Sequence, residues 1–374
     1  MSDGALVDMG AFGGVIVNTR SLTARLTGVQ RYTTELLTHF PLKVDKVSPT
    51  TPMQGMKGHL WEQFNLPLLL QRRLLWSPAN SGPLVVKHQV VTIHDIAVID
   101  HPEWFNARFA KWYKWITPTL VRQARFVIAV SEFTKRRLMD VAQVDGSRIV
   151  VIPNGVNPSF RRRPPEEIAS VRNKLGIPSA EYVLSLGTME PRKNLAAQLT
   201  AWSQCVSDLS PNTWLVVCGG IGKDHVFGDT KLPDLPPRVH FAGYVPDEDL
   251  PALYSGAIAF LYPSFYEGFG LPVLEAMACG TVPVVSQATA TQEIAGDAGL
   301  VVDPHNSDSI AAAIMTIVKN VALCTELSHR AAKRSQDFSW NRAADLTWRV
   351  LEEAMREGAT PSSSSPEREG LKCS

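Results

Sequence analysis

Two glutamates eight residues apart, Glu267 and Glu275, flank the run Gly268-Phe269-Gly270-Leu271-Pro272. A carboxylate has two acceptor oxygens, so each glutamate can bind a pair of hydroxyls. Pro272 suits the first turn of a helix, where its missing amide hydrogen is not needed. The spacing therefore predicts a helix through Val273, Leu274, Glu275, Ala276 and Met277 that ends near Gly280, with Glu267 in the loop before it. Gly268 and Gly270 let the backbone approach a ligand without Cβ obstruction. The unpaired amides of a helix start can hold phosphate oxygens. Two hydroxyl-binding carboxylates on either side of an anion site suit a nucleotide sugar, which has ribose at one end and hexose at the other. On physics alone, a solvent-facing acidic pair beside an ordinary glycine loop fits the same residues.

The elements that must position these groups can be read from the hydrophobic pattern. Strands are expected at Gly14–Asn18, Val85–Ile93, Phe126–Val130 and Val150–Pro153, with helices over Val29–Phe40 and Glu132–Val141. The polar, proline-bearing stretch Arg161–Glu167 (RRRPPEE) reads as a domain linker. A second series follows, with strands at Tyr182–Leu186, Trp214–Cys218, Val239–Phe241, Ala257–Leu261, Val282–Val285 and Leu300–Val302. Helices are expected over Asn194–Cys205 and in an Ala-rich stretch from Ser309 onward. Val- and Ile-rich strands alternating with helices predict an α/β protein with mostly parallel sheets covered on both faces. Two doubly wound, Rossmann-like domains facing across a cleft are expected, spanning 1–165 and 166–339. A last helix of about 340–357 is expected to pack back on the first domain, and 358–374, with SSSSP, to be a disordered tail. Ligands of such domains sit beyond the carboxyl ends of the strands, where the loops at His94, Gly187, Gly219 and Glu267 fall.

Composition narrows the function classes. With 374 residues, 45% apolar and 20% charged, the chain has the size of two ordinary globular domains. No apolar run is long enough to cross a bilayer, and the N-terminus lacks the pattern of a signal peptide. Five scattered cysteines, without C-x-x-C spacing, point to free thiols in a reducing compartment. The net charge of +1 conceals a separation, because residues 1–165 carry +10 and the remainder −9. A basic half suits an anionic lipid surface or a phosphorylated acceptor; two domains attracting one another across a cleft suit it equally well. Nucleic acid is not expected as a partner, since no finger or aromatic RNA-binding pattern accompanies the charge.

The segment YEGFGLPVLEAMACG at 266–280 resembles the defining motif of the retaining GT-B glycosyltransferases of family 4, whose E-x7-E pair matches Glu267 and Glu275. TGVQRY at 27–32, TIHD at 92–95, AVSEFT at 129–134, IPNGV at 152–156, GTMEPRKN at 187–194, FAGYV at 241–245 and FSW at 338–340 extend the resemblance over nearly the whole chain. The resemblance implies a GT-B fold and assigns roles. Glu275 would bind the nucleotide's ribose, and Glu267 the donor sugar near its reacting carbon. The loop Gly268, Phe269, Gly270 and Leu271 would contact sugar and diphosphate through its amides. Lys193 would neutralise the diphosphate with Arg192 beside it, and Tyr244 and Val245 would cradle the base. His94 would reach the donor sugar as a neutral side-chain donor or through its carbonyl. Gly28 and Gly187 would allow close approach of the backbone. Many members carry an arginine after the glycine of the strand-end loop; here Thr188 follows Gly187, and the resemblance to a bacterial mannosyl- and rhamnosyltransferase-like form implies Arg192 as the candidate for that role.

As the sugar–diphosphate bond breaks, negative charge grows on phosphate and positive charge on the ring, and fixed cations stabilise the first change. No permanently bound cofactor and no metal are expected, since no DxD-like pair precedes the site. Retention is expected through attack from the leaving-group side, with double displacement on Glu267 as the alternative. GDP-mannose is the expected donor, with another nucleotide sugar such as UDP-glucose, UDP-GlcNAc or GDP-rhamnose, or a GT-B epimerase, as alternatives. A lipid-linked or oligosaccharide acceptor of a surface polysaccharide is the expected partner. The protein is expected in the cytoplasm or at the inner face of the cytoplasmic membrane. The stretches Phe105–Ile116 (FNARFAKWYKWI) and Gln71–Trp76 (QRRLLW) mix basic and aromatic residues and could rest on such a surface, although packing of a partly buried helix explains them too.

Overall fold

The computed structural model describes residues 14–23, 28–53, 55–178, 181–187, 190–219 and 235–359. Thr188 lies outside them, as does the expected tail beyond 359. In the first half, β1 (Val15–Asn18), β2 (Asp45–Val47), β3 (Leu74–Ser77), β4 (Gln89–Ile93), β5 (Phe126–Ala129) and β6 (Ile149–Val151) form one sheet in the order β2-β1-β3-β4-β5-β6. In the second half, β7 (Glu181–Leu186), β8 (Thr213–Cys218), β9 (Val239–Gly243), β10 (Ala259–Tyr262), β11 (Val282–Ser286) and β12 (Leu300–Val302) form another, ordered β12-β11-β10-β7-β8-β9. Every strand pairing is parallel. Inner strands such as β3, β4, β5 and β10 are buried along their whole length, as expected where helices cover both faces.

Several elements depart from the sequence reading. Only the start of Gln71–Trp76 is at the surface: Gln71 and Arg72 are exposed, but Leu74, Leu75 and Trp76 belong to inner strand β3, and Trp76 is fully buried with its indole Nε1 donating to Thr92 Oγ1 at 3.1 Å. Leu74, Leu75 and Trp76 therefore cannot meet a bilayer. The strand expected from Val85 begins only at Gln89, and Val85 is 74% exposed. The long Ala-rich helix is two helices, Ser307–Lys319 and Val321–Ser335, bent by 99°. At the bend Asn320 caps the second helix, accepting from the Leu323 amide at 3.0 Å. The expected linker is partly helical, because Pro165–Lys174 forms a helix, and the Arg163 amide donates to Ser255 Oγ at 3.0 Å.

The chain passes between the halves twice, and the two passages touch. Val156 pairs with Ser339 in a parallel bridge, and the Val156 amide donates to Phe338 O at 3.2 Å. The helix Trp340–Ala359 then lies against the helix Gly28–His39 and the first sheet, with Trp348 and Phe40 rings 5.5 Å apart. A Cβ on Gly155 would come within 2.2 Å of the Trp340 amide nitrogen and 2.5 Å of Ser339 C, which are backbone atoms with no room to give. Gly155→Ala should accordingly destabilise the protein by about 1–3 kcal/mol in urea unfolding, the usual range for overpacking. An unchanged midpoint would show that the two passages can separate without loss.

Candidate active site

The strand order of the second sheet reverses between β7 and β10, the switch point at which doubly wound sheets bind ligands. Loops leaving these two strands carry the chemistry. After β7 comes the short 3-10 turn Pro191–Lys193, and after β10 comes the loop to the helix Leu271–Ala278. The Phe265 amide donates to Arg192 O at 2.8 Å, tying the loops together. Glu267 Oε1 accepts from Lys193 Nζ at 2.6 Å and from Arg192 Nη1 at 3.0 Å. Arg192 also donates to Glu190 at 2.7 Å, and Lys193 bonds the Tyr262 hydroxyl. Burial pushes the Glu267 carboxyl up, but Lys193 and Arg192 outweigh it and hold it at about 2. Burial and the neighbouring Arg192 hold the Lys193 ammonium below the usual lysine range, against the pull of Glu267. Two cations are thus fixed at one carboxylate oxygen, in the place the resemblance gives to the diphosphate.

Glycines let three strand ends meet beside them. The Gly187 amide donates to Cys218 O at 2.9 Å and the Gly219 amide to Gly243 O at 2.8 Å. A Cβ on Gly219 would lie 1.8 Å from Gly187 O, so only glycine fits. Of the two residues assigned to the base, Tyr244 is 66% exposed and Val245 is buried. Gly270 caps the helix Leu271–Ala278 at φ +108°, a conformation open mainly to glycine. Glu275 lies one turn inside that helix and is buried.

The opposing domain closes directly on this loop. Ser131 Oγ donates to Gly268 O at 2.6 Å and Thr134 Oγ1 to the same oxygen at 3.1 Å. A Cβ on Gly268 would stand 1.9 Å from His94 O, so the close approach expected of this glycine is to protein backbone. His94 presents that carbonyl to the loop, while its ring is turned inward with Nε2 2.8 Å from Pro78 O and edge-on to Tyr32. Burial lowers the imidazole pKa to about 4, so the ring is neutral. Asp95 beside it accepts from the Ala97 amide at 3.2 Å and so orients the loop; burial raises its carboxyl, against the pull of Arg192. Gly28 faces Leu271, whose Cδ1 would lie 3.7 Å from a Cβ there. Phe269 is buried and lines an 820 Å³ cavity together with Ile152 and Phe338. Glu267, Glu275 and Lys193 do not line that cavity.

One site residue escaped the sequence reading. Arg31, within TGVQRY, crosses the cleft and donates to Glu275 Oε1 at 2.6 Å, while its other terminal nitrogen pairs with Asp247. The signal was available in part, since Arg31 stands one helical turn after Gly28 and Glu275 one turn after Leu271. Only the packing of the two helices brings them together. Burial pushes the Glu275 carboxyl up to about 7, Arg31 pulls it down, and Asp247 adds to the rise.

Two measurements probe these charges. If Lys193 holds the diphosphate as the resemblance implies, Lys193→Ala should slow turnover by more than about tenfold, because a fixed cation at the growing phosphate charge is lost; unchanged turnover would remove Lys193 from the site. A carboxyl raised from its ordinary 4.5 to about 7 contributes stability that is fully present below 4.5 and is lost as pH rises through 7. Glu275→Gln should therefore lose less stability than the parent between about pH 5 and about pH 8 in urea titrations. Parallel curves would show that Glu275 is already ionised throughout.

Known proteins share both halves of this architecture. The family profile described as "Glycosyltransferase Family 4" matches residues 74–160, and that described as "Glycosyl transferases group 1" matches 167–336. The chain is 33% identical over 271 residues to O-antigen chain mannosyltransferase B of Escherichia coli, covering 71% of this chain and 70% of that protein. It is 27% identical over 286 residues to O-antigen chain mannosyltransferase RfbU of Salmonella typhimurium, covering 72% and 74%. Among solved structures, Anabaena HepE in complex with UDP and glucose superposes with a TM-score of 0.70 at 18% identity, over 91% of this chain and 99% of that one. WaaG, a glycosyltransferase involved in lipopolysaccharide biosynthesis, superposes with a TM-score of 0.67 at 15% identity, over 90% and 99%. The fold is thus GT-B, and the chain belongs to the group 1 glycosyltransferases of family 4.

Proposed function

We propose that this enzyme transfers mannose from GDP-mannose, with retention of configuration, to a saccharide acceptor, lipid-linked or free, in the assembly of an O-antigen-type surface polysaccharide. The observation that carries the reading is the buried Glu267 held by Arg192 and Lys193 at the switch point, directly under the opposing His94–Asp95 loop. Mannose is favoured by the names of the relatives; GDP as the carrier rests on the sequence resemblance alone.

In this reading Glu275 takes the ribose hydroxyls and the diphosphate lies at the start of the helix Leu271–Ala278. When the bond from C1 to the phosphate oxygen breaks, its electron pair stays with the phosphate, where Lys193 and Arg192 meet the new charge. The acceptor hydroxyl attacks C1 from the leaving-group side, and its proton passes to the departing phosphate oxygen. The carbonyl of His94 and the carboxylate of Glu267 face the positive charge that develops on the ring. Fixed cations perform the work that a divalent metal performs in other transferases, so turnover should persist in EDTA. A cytoplasmic site of action suits Cys205, Cys218, Cys279 and Cys324, which form no disulfide among the described residues.

A donor panel of GDP-, UDP- and ADP-sugars, read by thermal shift and by turnover against membrane extracts, tests the assignment. GDP-mannose should stabilise the protein and be consumed, with and without EDTA. Stabilisation by UDP-sugars alone would overturn the donor, and loss of turnover in EDTA would overturn the metal-free chemistry.

A further inference from the structure

A line of aromatic rings crosses the cleft beside the loop that carries Glu267. Trp104, on the 3-10 turn Pro102–Trp104 of the first domain, faces Phe265 of the second, with ring centres 6.4 Å apart and planes at 29°. Behind Trp104 the His101 ring is stacked at 4.0 Å and 11°, and behind Phe265 the His305 ring at 4.8 Å and 28°. The facing pair is thus spaced more widely than the stacks that back it. Trp104, His101 and Phe265 are half-buried and His305 is exposed, so the line lies at the surface and outside the core. Rings of this size gain most from burial, and their partial exposure beside a reaction site marks a contact still to be made.

Both facing rings are held by hydrogen bonds of their own segments. The Phe265 amide donates to Arg192 O at 2.8 Å, and the next residue, Tyr266, donates its hydroxyl across the cleft to Asp100 Oδ2 at 3.0 Å. Asp100 in turn accepts from Arg137 Nε at 2.9 Å and from Arg137 Nη2 at 2.7 Å. The segment ending in Trp104 and the loop leading to Glu267 are therefore joined beside the two rings. Polar groups accompany them: Glu103 Oε1 is 3.1 Å from His101 Nδ1, and the Arg192 guanidinium is 3.0 Å from Glu267. Flat apolar faces with hydrogen-bonding groups near their edges suit a pyranose ring. Its C–H faces are apolar and slightly positive, which the negative face of an aromatic ring attracts, and its hydroxyls point outward.

Strand order separates these rings from the nucleotide. Tyr244, Val245 and Asp247, the last of which shares Arg31 with Glu275, follow β9 at one edge of the second sheet. Phe265 follows β10, and His305 follows β12 at the opposite edge. A donor in the pose proposed above has its base toward β9 and its sugar at Glu267, so the rings begin where the donor sugar ends. We propose that Trp104 and Phe265 form the binding site of the acceptor saccharide and clasp one of its pyranose rings between the indole and the phenyl face. The inference rests on the reading of the enzyme as a saccharide transferase and adds where the acceptor lies. Two face contacts of about 4 Å each need aromatic planes about 8 Å apart, so the cleft parts by about 2 Å to admit the sugar. The neighbouring sugar of the same chain then lies toward Glu267, two positions along the loop from Phe265.

Titration of the full chain with neutral di- to tetrasaccharides of mannose, glucose, galactose and N-acetylglucosamine, read by tryptophan fluorescence and calorimetry, tests the site without a donor. At least one series should bind the parent. Trp104→Ala and Phe265→Leu should each weaken that binding by about tenfold or more, and Trp104→Phe, which keeps an aromatic face, by less than about threefold. In transfer assays with whichever nucleotide sugar the enzyme consumes, the first two variants should raise the acceptor KM while the donor Kd changes by less than about twofold. Phe265→Leu keeps apolar volume, so lost saccharide affinity at an unchanged thermal midpoint reports the missing ring face and not lost packing. The proposal is overturned if the parent binds none of the saccharides, or if the variants bind them as the parent does. Weakened donor binding with saccharide affinity intact would also overturn it and assign the rings to the nucleotide base. A donor other than GDP-mannose would overturn the mannose reading and leave this site standing.

Discussion

A buried carboxylate bound by two cations sets the terms for the rest of this enzyme. Glu267 is nearly out of water, and leaving it there alone would cost several kcal/mol. Lys193 and Arg192 remove that penalty, and Glu190 balances the second cation. Glu267 comes from the loop leaving β10 and its cations, with Glu190, from the loop leaving β7, so the cluster exists only if β7 and β10 are neighbours in the sheet. The strand order, the 3-10 turn Pro191–Lys193 and the glycines at the strand ends can all be understood as the scaffold of one charge arrangement. The same arrangement is suited to catalysis, because cations already fixed in place need no reorganisation when charge develops on a phosphate.

The cleft closes through backbone as much as through charge. Gly268 accepts hydrogen bonds from Ser131 and Thr134 and lies against the carbonyl of His94, so the loop bearing Glu267 is read by the opposing domain. Arg31 adds a second crossing at Glu275. In the proposed donor pose a nucleotide meets at Glu275 a carboxylate that already has a cation, and Arg31 must share or release it. The proposed pose would thereby link domain closure to donor binding through one side chain that belongs to the other half of the molecule.

Much of this was legible in the chain. Val- and Ile-rich runs placed ten of the strands within a few residues, because parallel strands buried on both faces leave a continuous apolar signal. β2 gave none, since Asp45-Lys46-Val47 is a short, exposed edge. β3 was misread because Arg72 and Arg73 precede Leu74-Leu75-Trp76 and lend a buried strand the look of a membrane-facing segment. In the candidate site, motifs in the sequence single out Glu267, Glu275 and Lys193, whereas the pairing of Arg31 with Glu275 spans 244 residues and follows only from packing. The ring of His94 was expected near the donor, but the sequence could not show that Pro78 O would hold it inward.

The central claim is that the donor lies between Glu275 and Glu267 with its diphosphate at Lys193 and Arg192. A crystal structure with an intact, non-reacting donor analogue tests it most directly. The account predicts ribose hydroxyls within hydrogen-bond distance of Glu275, phosphate oxygens on Lys193 and Arg192, and the Arg31–Glu275 pair loosened or broken. A nucleotide bound elsewhere, with Arg31 still closed on Glu275 and Lys193 still closed on Glu267, would contradict it.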